Sequence, residues 1–354
     1  MDISKIDRNF KIETNLPEKD IEWFEANKAP FVMYGALTGE KEGYPRIPQA
    51  LADKVNDGVA CLNKMTAGVR VRVCTDSPYI AVKAIYPNIG MMSHMTLLGS
   101  SGFDIYRVKN GQQFFMNSVI PPIDMTNGFD YLFNTFLGGT MTDYIINFPP
   151  YNQVIKVYLG VKAGSHFSEP QKYKNEKPVV FYGSSITQGG CASRPGNMYQ
   201  NFLSRKLDMD YLCLGFSGSG KAEKNIVEYM SKLSMSVFVA DYDHNAPNAD
   251  YLRNTHYAMY EAIREKNPDL PYIMITAPDP TPNWDWTERR AIIMESYVKA
   301  IKNGDRNVYF IDGRAFSGGN DYDCVTVDRS HPNDIGFLRM AEGIYPVLRE
   351  ILYK

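Results

Sequence analysis

The stretch that most constrains this chain is an apolar run that stops abruptly in small residues. Val179-Val180-Phe181-Tyr182 reads as a buried strand, and it gives way at once to Gly183-Ser184-Ser185-Ile186-Thr187-Gln188-Gly189-Gly190. A helix-compatible segment follows at about 198–207. Strand, sharp turn and helix in that order can present a serine hydroxyl at the carboxyl edge of a parallel sheet. Open α/β sheets hold their ligands at that edge.

The pattern around this stretch divides the chain in two. Residues 17–27 read as a short helix, and from about 31 to 161 short alternating runs dominate. Val69-Arg70-Val71-Arg72-Val73 and Ile80-Ala81-Val82-Lys83-Ala84-Ile85 each have the period of a half-buried strand. Residues 144–148 and 153–159 form another expected pair, joined by Pro149-Pro150-Tyr151-Asn152. Pro87-Asn88, Asn110-Gly111, Pro121-Pro122 and Asn127-Gly128 punctuate the segment, a spacing that fits an antiparallel β-sandwich of jelly-roll type. The charged segment 166–177 reads as a linker.

Beyond it, strands are expected at 179–182, 211–214, 237–240, 272–275 and 308–311. Helices are expected at about 198–207, 222–233, 250–266, 287–303 and 334–352. Five such units specify a parallel sheet covered by helices on both faces. The expected division is a β-sandwich domain over 1–170, with a short N-terminal extension, and an α/β domain over 177–354.

Composition removes several function classes. A formal net charge of −2 over 354 residues, with 44% hydrophobic and 22% charged, describes a soluble globular chain. It offers neither a nucleic-acid surface nor a polybasic membrane anchor. No apolar run approaches the roughly 18 residues of a membrane span. Met1-Asp2-Ile3-Ser4-Lys5-Ile6-Asp7 has no apolar signal core, so a cytoplasmic protein is expected, although a trimmed secreted chain would read the same.

Cys61, Cys74, Cys191, Cys213 and Cys324 are scattered and odd in number, which favours thiols over a disulfide framework. The five histidines (His94, His166, His244, His256 and His331) lack HExxH spacing, so no metal is expected. Nor does a cofactor motif emerge: Gly218-Ser219-Gly220-Lys221 fails the phosphate-loop pattern because Ala222 follows the lysine.

Four short blocks of the second half lie at strand ends or in the last loop: 183–187, 214–220, 241–246 and 327–332. Parallel topology brings such ends together. A serine alone is a poor nucleophile and needs an adjacent base, which a histidine supplies when a carboxylate holds its far nitrogen. Asp328 and His331 are three residues apart in a turn-like segment, within reach of such a bond. A tetrahedral intermediate needs donors aimed at its oxyanion; Gly218 offers an unobstructed N–H and Asn245 an amide. Read singly, Gly-Ser-Ser is ordinary turn punctuation and His331 a helix-start residue; the constellation of blocks is what carries the functional reading.

These blocks resemble those of the SGNH (GDSL-type) hydrolases over residues 177–354. The resemblance implies a flavodoxin-like, five-stranded parallel α/β/α fold and a serine esterase. It makes Ser185 the nucleophile and Asp328 and His331 the rest of the triad, with Ser185, Gly218 and Asn245 as the oxyanion hole. Two positions depart from the family pattern. Ser184 replaces the usual Asp before the nucleophile, and Asn245 is flanked by His244 and Ala246 where Gly-x-Asn-Asp is usual.

Upstream, Gly102-Phe103-Asp104-Ile105-Tyr106 is similar to the Gly-x-Asp-Leu-Tyr signature of a β-rich domain that precedes some SGNH esterases. Asp104 and Tyr106 then either reach the site or form a structural pair. A β-sandwich followed by an SGNH domain also resembles the layout of bacterial carbohydrate esterases, which implies a short acyl ester, acetyl above all, on a small molecule or oligosaccharide. His244, Trp284 and Trp286, the tryptophans in a loop after the fourth strand, are the candidate substrate contacts; the alternative for the tryptophans is a cap on the core, and His244 reads as a pocket-wall or structural histidine rather than a second base. Lipase-like or thioesterase activity, and an idle carbohydrate-binding protein, are the rival functions.

Overall fold

The computed structural model describes residues 15–354 apart from 38, 40, 41, 279–283 and 318–322. The first half contains strands β1 (Ile21–Glu25) and β2 (Val32–Tyr34) and helices α1 (Gln49–Val55) and α2 (Asp57–Leu62). Strands β3 (Arg70–Thr75) and β4 (Tyr79–Ile85), helix α3 (Leu97–Ser101) and strands β5 (Phe103–Lys109) and β6 (Gln112–Val119) follow. Then come β7 (Gly128–Asn134), β8 (Thr142–Asn147), β9 (Lys156–Lys162) and β10 (Phe167–Ser168).

These strands make two antiparallel sheets, ordered β1-β9-β4-β7 and β10-β3-β8-β5-β6, with β2 paired to β3. One core fills the space between them, drawing Val71, Val73, Ile105 and Ile146 from one sheet and Ile80, Val82, Val157 and Leu159 from the other. This is the expected sandwich. The expected helix at 17–27 is instead edge strand β1, antiparallel to β9 with Trp23 opposite Gly160; a Cβ on Gly160 would lie 3.0 Å from the indole.

The second half alternates strand and helix: β11 (Asn175–Gly183), α4 (Ser185–Gln188), α5 (Tyr199–Leu207), β12 (Met209–Gly215) and α6 (Lys224–Met230). It continues through β13 (Val237–Asp241), α7 (Ala249–Lys266), β14 (Tyr272–Ile275), α8 (Trp284–Lys302), β15 (Val308–Ile311) and α9 (Asp334–Leu352). The five strands are parallel in the order β12-β11-β13-β14-β15, the flavodoxin-like arrangement. A sheet buried on both faces needs runs that are apolar throughout, and Val179, Val180, Phe181 and Tyr182 are all fully buried. Val180 and Tyr182 face the core shared with α6, α7 and α8, whereas Val179 and Phe181 face the one shared with α5 and α9. Among the described residues no helix is long and apolar enough to cross a membrane.

The two halves interlock more than an alternating pattern implies. Ile47, Ala52 and Val59, on and before α1 and α2, belong to the core of the parallel sheet, although their sequence lies within the 1–170 segment. The β3 alternation is real, yet the strand is not half exposed, since all six of its residues are buried. Val71 and Val73 enter the sandwich core, while the Arg70 guanidinium, on the opposite face, contacts Asp210 and bonds the Tyr173 hydroxyl at 2.8 Å and Tyr211 O at 3.1 Å. The segment expected as a linker also packs: Tyr173 is buried under Arg70 and Arg72. An arginine stem with its charge paired can fill an interface that a hydrophobicity pattern assigns to water.

Candidate active site

Strand β11 ends at Gly183 because nothing larger fits. A Cβ there would lie 2.0 Å from Thr187 Oγ1 and 2.2 Å from Asp241 O. The chain then turns directly into α4, whose N-cap is Ser184, its Oγ accepting from Ile186 N at 3.2 Å. Serine and aspartate serve equally well as N-cap acceptors, which accounts for serine at a position where the family usually has aspartate. Ser185 is the first residue of α4, a position whose N–H has no partner within the helix.

The loop before α9 is built to hold an imidazole. Asp328 Oδ1 accepts from Ser330 N at 3.0 Å and His331 N at 2.7 Å, closing a tight turn in which Arg329 is left-handed with φ 72°. Asn333 caps α9 by accepting from Ile335 N and Gly336 N. The result is one chain of hydrogen bonds, with Ser185 Oγ 2.9 Å from His331 Nε2 and His331 Nδ1 2.7 Å from Asp328 Oδ2. Partial burial pushes the Asp328 carboxyl up, but the His331 and Ser330 N–H groups and the imidazole outweigh it and hold it below its usual range. Asp328 is therefore an anion at neutral pH, as an orienting carboxylate must be.

Gly218 lies in a turn after β12 with φ 65° and open space where a side chain would be. Ser217 N donates to Gln188 Oε1 at 2.9 Å, and Asn245 Nδ2 donates to Phe216 O at 2.8 Å and Gly220 O at 3.1 Å. Asn245 thus supports the Gly218 turn, and presenting its amide to an oxyanion requires giving up one of these two bonds. His244 packs against Trp286, ring centres 4.6 Å apart. The expected tryptophan loop is in part a helix: Trp284 and Trp286 open α8, residues 279–283 lie outside the described residues, and Arg289 lies 5.3 Å from the Trp286 ring.

Two neighbours of the site, His94 and Tyr151, have no motif that announces them, whereas Cys191 follows the Ser185 block directly and reads from the sequence as a buried filler near the site. His94, from the loop between β4 and α3, has its ring centre 5.7 Å from that of His331. The Tyr151 hydroxyl lies 3.4 Å from Ser185 O. Cys191 is buried and left-handed (φ 73°), and burial together with the Asp328 charge pushes its thiol up to about 12, a protonated group rather than a nucleophile.

The Asp104–Tyr106 motif does not touch Ser185. Asp104 Oδ2 accepts from Arg194 Nη1 at 2.8 Å and Gly196 N at 2.7 Å, Oδ1 accepts from Asn147 Nδ2 at 2.8 Å, and Arg194 also bonds the Tyr106 hydroxyl. The gripped loop is held from its other side by Asp334, which accepts from Ser193 N at 2.9 Å and Asn197 Nδ2 at 2.8 Å. Asp334 opens α9, three residues after His331. The motif is therefore a latch from the sandwich to the base of the histidine loop.

Residues 176–349 match the GDSL-like Lipase/Acylhydrolase family, and residues 21–167 match GxDLY, described as the N-terminus of SGNH-hydrolase-type esterases. The class is thus a carboxylic-ester hydrolase with a β-rich domain ahead of its α/β domain. Residues 176–349 are a GDSL-like lipase/acylhydrolase domain, and the GxDLY domain precedes it over residues 21–167. A GDSL-like lipase from Bacteroides ovatus superposes with a TM-score of 0.85 at 28% identity, covering 94% of this chain and 98% of that one. The salicylyl-acyltransferase SsfX3 of a tetracycline biosynthetic pathway shares the fold with a TM-score of 0.77 at 19% identity over the same shares of each chain, 94% and 98%. An acetyl xylan esterase from Butyrivibrio proteoclasticus does so at 0.57 and 14% identity, covering 94% and 99%. No curated protein matches the chain.

Proposed function

We propose that this hydrolase is a serine esterase that removes short acyl groups, acetyl above all, from carbohydrate hydroxyls. The observation that carries the reading is the Ser185–His331–Asp328 relay, with bonds of 2.9 and 2.7 Å. His331 Nε2 takes the Ser185 proton as Oγ attacks the ester carbonyl, and Asp328 stabilises the imidazolium at Nδ1. The N–H groups of Ser185 and Gly218 receive the oxyanion, and Asn245 joins them by exchanging its longer bond, to Gly220 O, for the substrate oxygen. His331 returns the proton to the leaving hydroxyl, then activates water to release the acid from the acyl-enzyme.

The carbohydrate half is supported by the fold shared with an acetyl xylan esterase and with a family two carbohydrate esterase solved with cellohexaose. His244 and Trp286, paired by the end of β13, are the aromatic surface proposed to meet the sugar, with Trp284 beside them in sequence. The test is acetate release from acetylated xylo- and cello-oligosaccharides beside a series of p-nitrophenyl acetate, butyrate and octanoate. A rate that falls with acyl length, with acetate released from the oligosaccharides, supports the reading. Preference for octanoate or for thioesters overturns it.

A further inference from the structure

Three ligand-type side chains far apart in sequence converge beside Ser185. One ring nitrogen each of His94 and His331 and the Cys191 Sγ all lie within 4.8 Å of one another. His94 comes from the sandwich half, Cys191 from the loop after α4 and His331 from the loop before α9. We propose that this trio binds a thiophilic divalent cation, Zn²⁺ or Cd²⁺, and that its occupancy switches the hydrolase off. The inhibitory half rests on His331 acting as the base for Ser185; the binding half does not.

The donor set selects the ion. Two imidazoles and a thiolate suit zinc-like cations, whereas Mg²⁺ and Ca²⁺ require oxygen ligands. Bonds of about 2.0–2.3 Å put the corners of a tetrahedral site roughly 3.3–3.7 Å apart, so the trio must close by up to about 1–1.5 Å. His94 is exposed on a loop and can supply that movement, whereas Cys191 is buried in its left-handed turn. Water takes the fourth position, and the thiol proton leaves to solvent as the ion binds.

The outer sphere is already in place. Metal-bound imidazoles donate their other N–H to a carboxylate, which fixes the ring and raises its basicity, and Asp328 holds His331 Nδ1 in that manner at 2.7 Å. The nitrogen left for the ion is Nε2, the atom that contacts Ser185 Oγ at 2.9 Å. Cation and nucleophile compete for one lone pair, so a bound ion removes the base.

The experiment uses the full-length enzyme stripped with EDTA and then titrated with Zn²⁺, with Mg²⁺ as control. The expected result is inhibition by Zn²⁺ alone, reversed by EDTA. His94→Ala and Cys191→Ser, assayed separately, should retain metal-free hydrolysis while raising the inhibitory Zn²⁺ concentration by about 10–100-fold or more. Binding is read without activity by titrating Co²⁺: one ion per chain, with a near-ultraviolet thiolate-to-cobalt charge-transfer band that is absent in Cys191→Ser. No thiolate band in the wild type overturns the site, whatever ester the enzyme cleaves. Inhibition unchanged in both variants overturns its role.

Discussion

Asp104 sets up the most informative perturbation because it joins the two halves without touching the proposed nucleophile. It is fully buried and accepts from Arg194, Gly196 N and Asn147 at 2.7–2.8 Å. Asp104→Ala leaves the Arg194 guanidinium, whose side chain is only 19% exposed, without its counter-charge. Breaking a buried pair from one side costs about 3–5 kcal/mol, and each orphaned donor, Gly196 N–H and the Asn147 amide, adds about 1–3 kcal/mol. Such terms overlap, and Arg194 keeps the Tyr106 hydroxyl and the Phe115 ring 4.2 Å away, so the net loss should be about 4–6 kcal/mol. That is a large share of the roughly 5–15 kcal/mol of a typical domain. Asp104→Asn keeps the shape and one acceptor and should lose about half as much.

Urea unfolding followed by tryptophan fluorescence measures the loss. Because Asp334 grips the same 193–197 loop at the start of α9, kcat of Asp104→Asn should also fall, about tenfold, with little change in KM. An Asp104→Asn protein within 0.5 kcal/mol of wild type, a typical surface-substitution effect, and with unchanged kcat would refute the latch.

Three further outcomes follow from the geometry. Asn245→Ala should reduce kcat by about 10²–10³ if the amide reaches the oxyanion; full activity, measured under saturating p-nitrophenyl acetate, would leave Asn245 with the Gly218 turn alone. Asp241, fully buried, is pushed up to about 7 by burial and then by the Asp243 charge. Between about pH 4 and 7 the folded chain therefore keeps a proton that the unfolded chain has lost, so this residue's contribution to stability falls as pH rises, by about 4 kcal/mol in all. Asp241→Asn should flatten that part of the profile and be the more stable protein at pH 8; parallel urea-denaturation profiles for both proteins would refute this. Arg70→Met should leave Asp210 beside β3 without its partner and destabilise by about 3–5 kcal/mol, read as a lowered urea midpoint.

What was legible in the sequence was the part governed by local period and by motif. Every strand of the parallel sheet was expected within a few residues because strands buried on both faces are apolar throughout, and Val179 to Tyr182 could hardly be anything else. Ser185, Asp328 and His331 were named through blocks whose spacing repeats within a family, and the structure puts them in one hydrogen-bonded chain. Contacts that depend on tertiary placement were hidden. Arg70 and Arg72 alternate with valines as solvent-facing residues do, yet they are buried between the two halves. The segment 49–62 is short and mixed in composition, and tertiary packing, with α1 against α6, makes its helices part of the second core. His94 and Tyr151 lie in loops with no chemistry-bearing spacing, so nothing local ties them to a serine that follows them by 91 and 34 residues. Residues 278–286 read as a loop from the sequence, with a helix only from 287, whereas α8 already includes Trp284 and Trp286.

The central claim is that Ser185 attacks the ester. Intact-mass measurement after treatment with a fluorophosphonate, in wild type and Ser185→Ala, tests it most directly, with p-nitrophenyl acetate hydrolysis followed on the same samples. The account predicts one adduct per wild-type chain, located on Ser185, no adduct in the variant, and hydrolysis reduced by about 10⁴-fold or more. An adduct on another residue, or equal hydrolysis by both proteins, would contradict it.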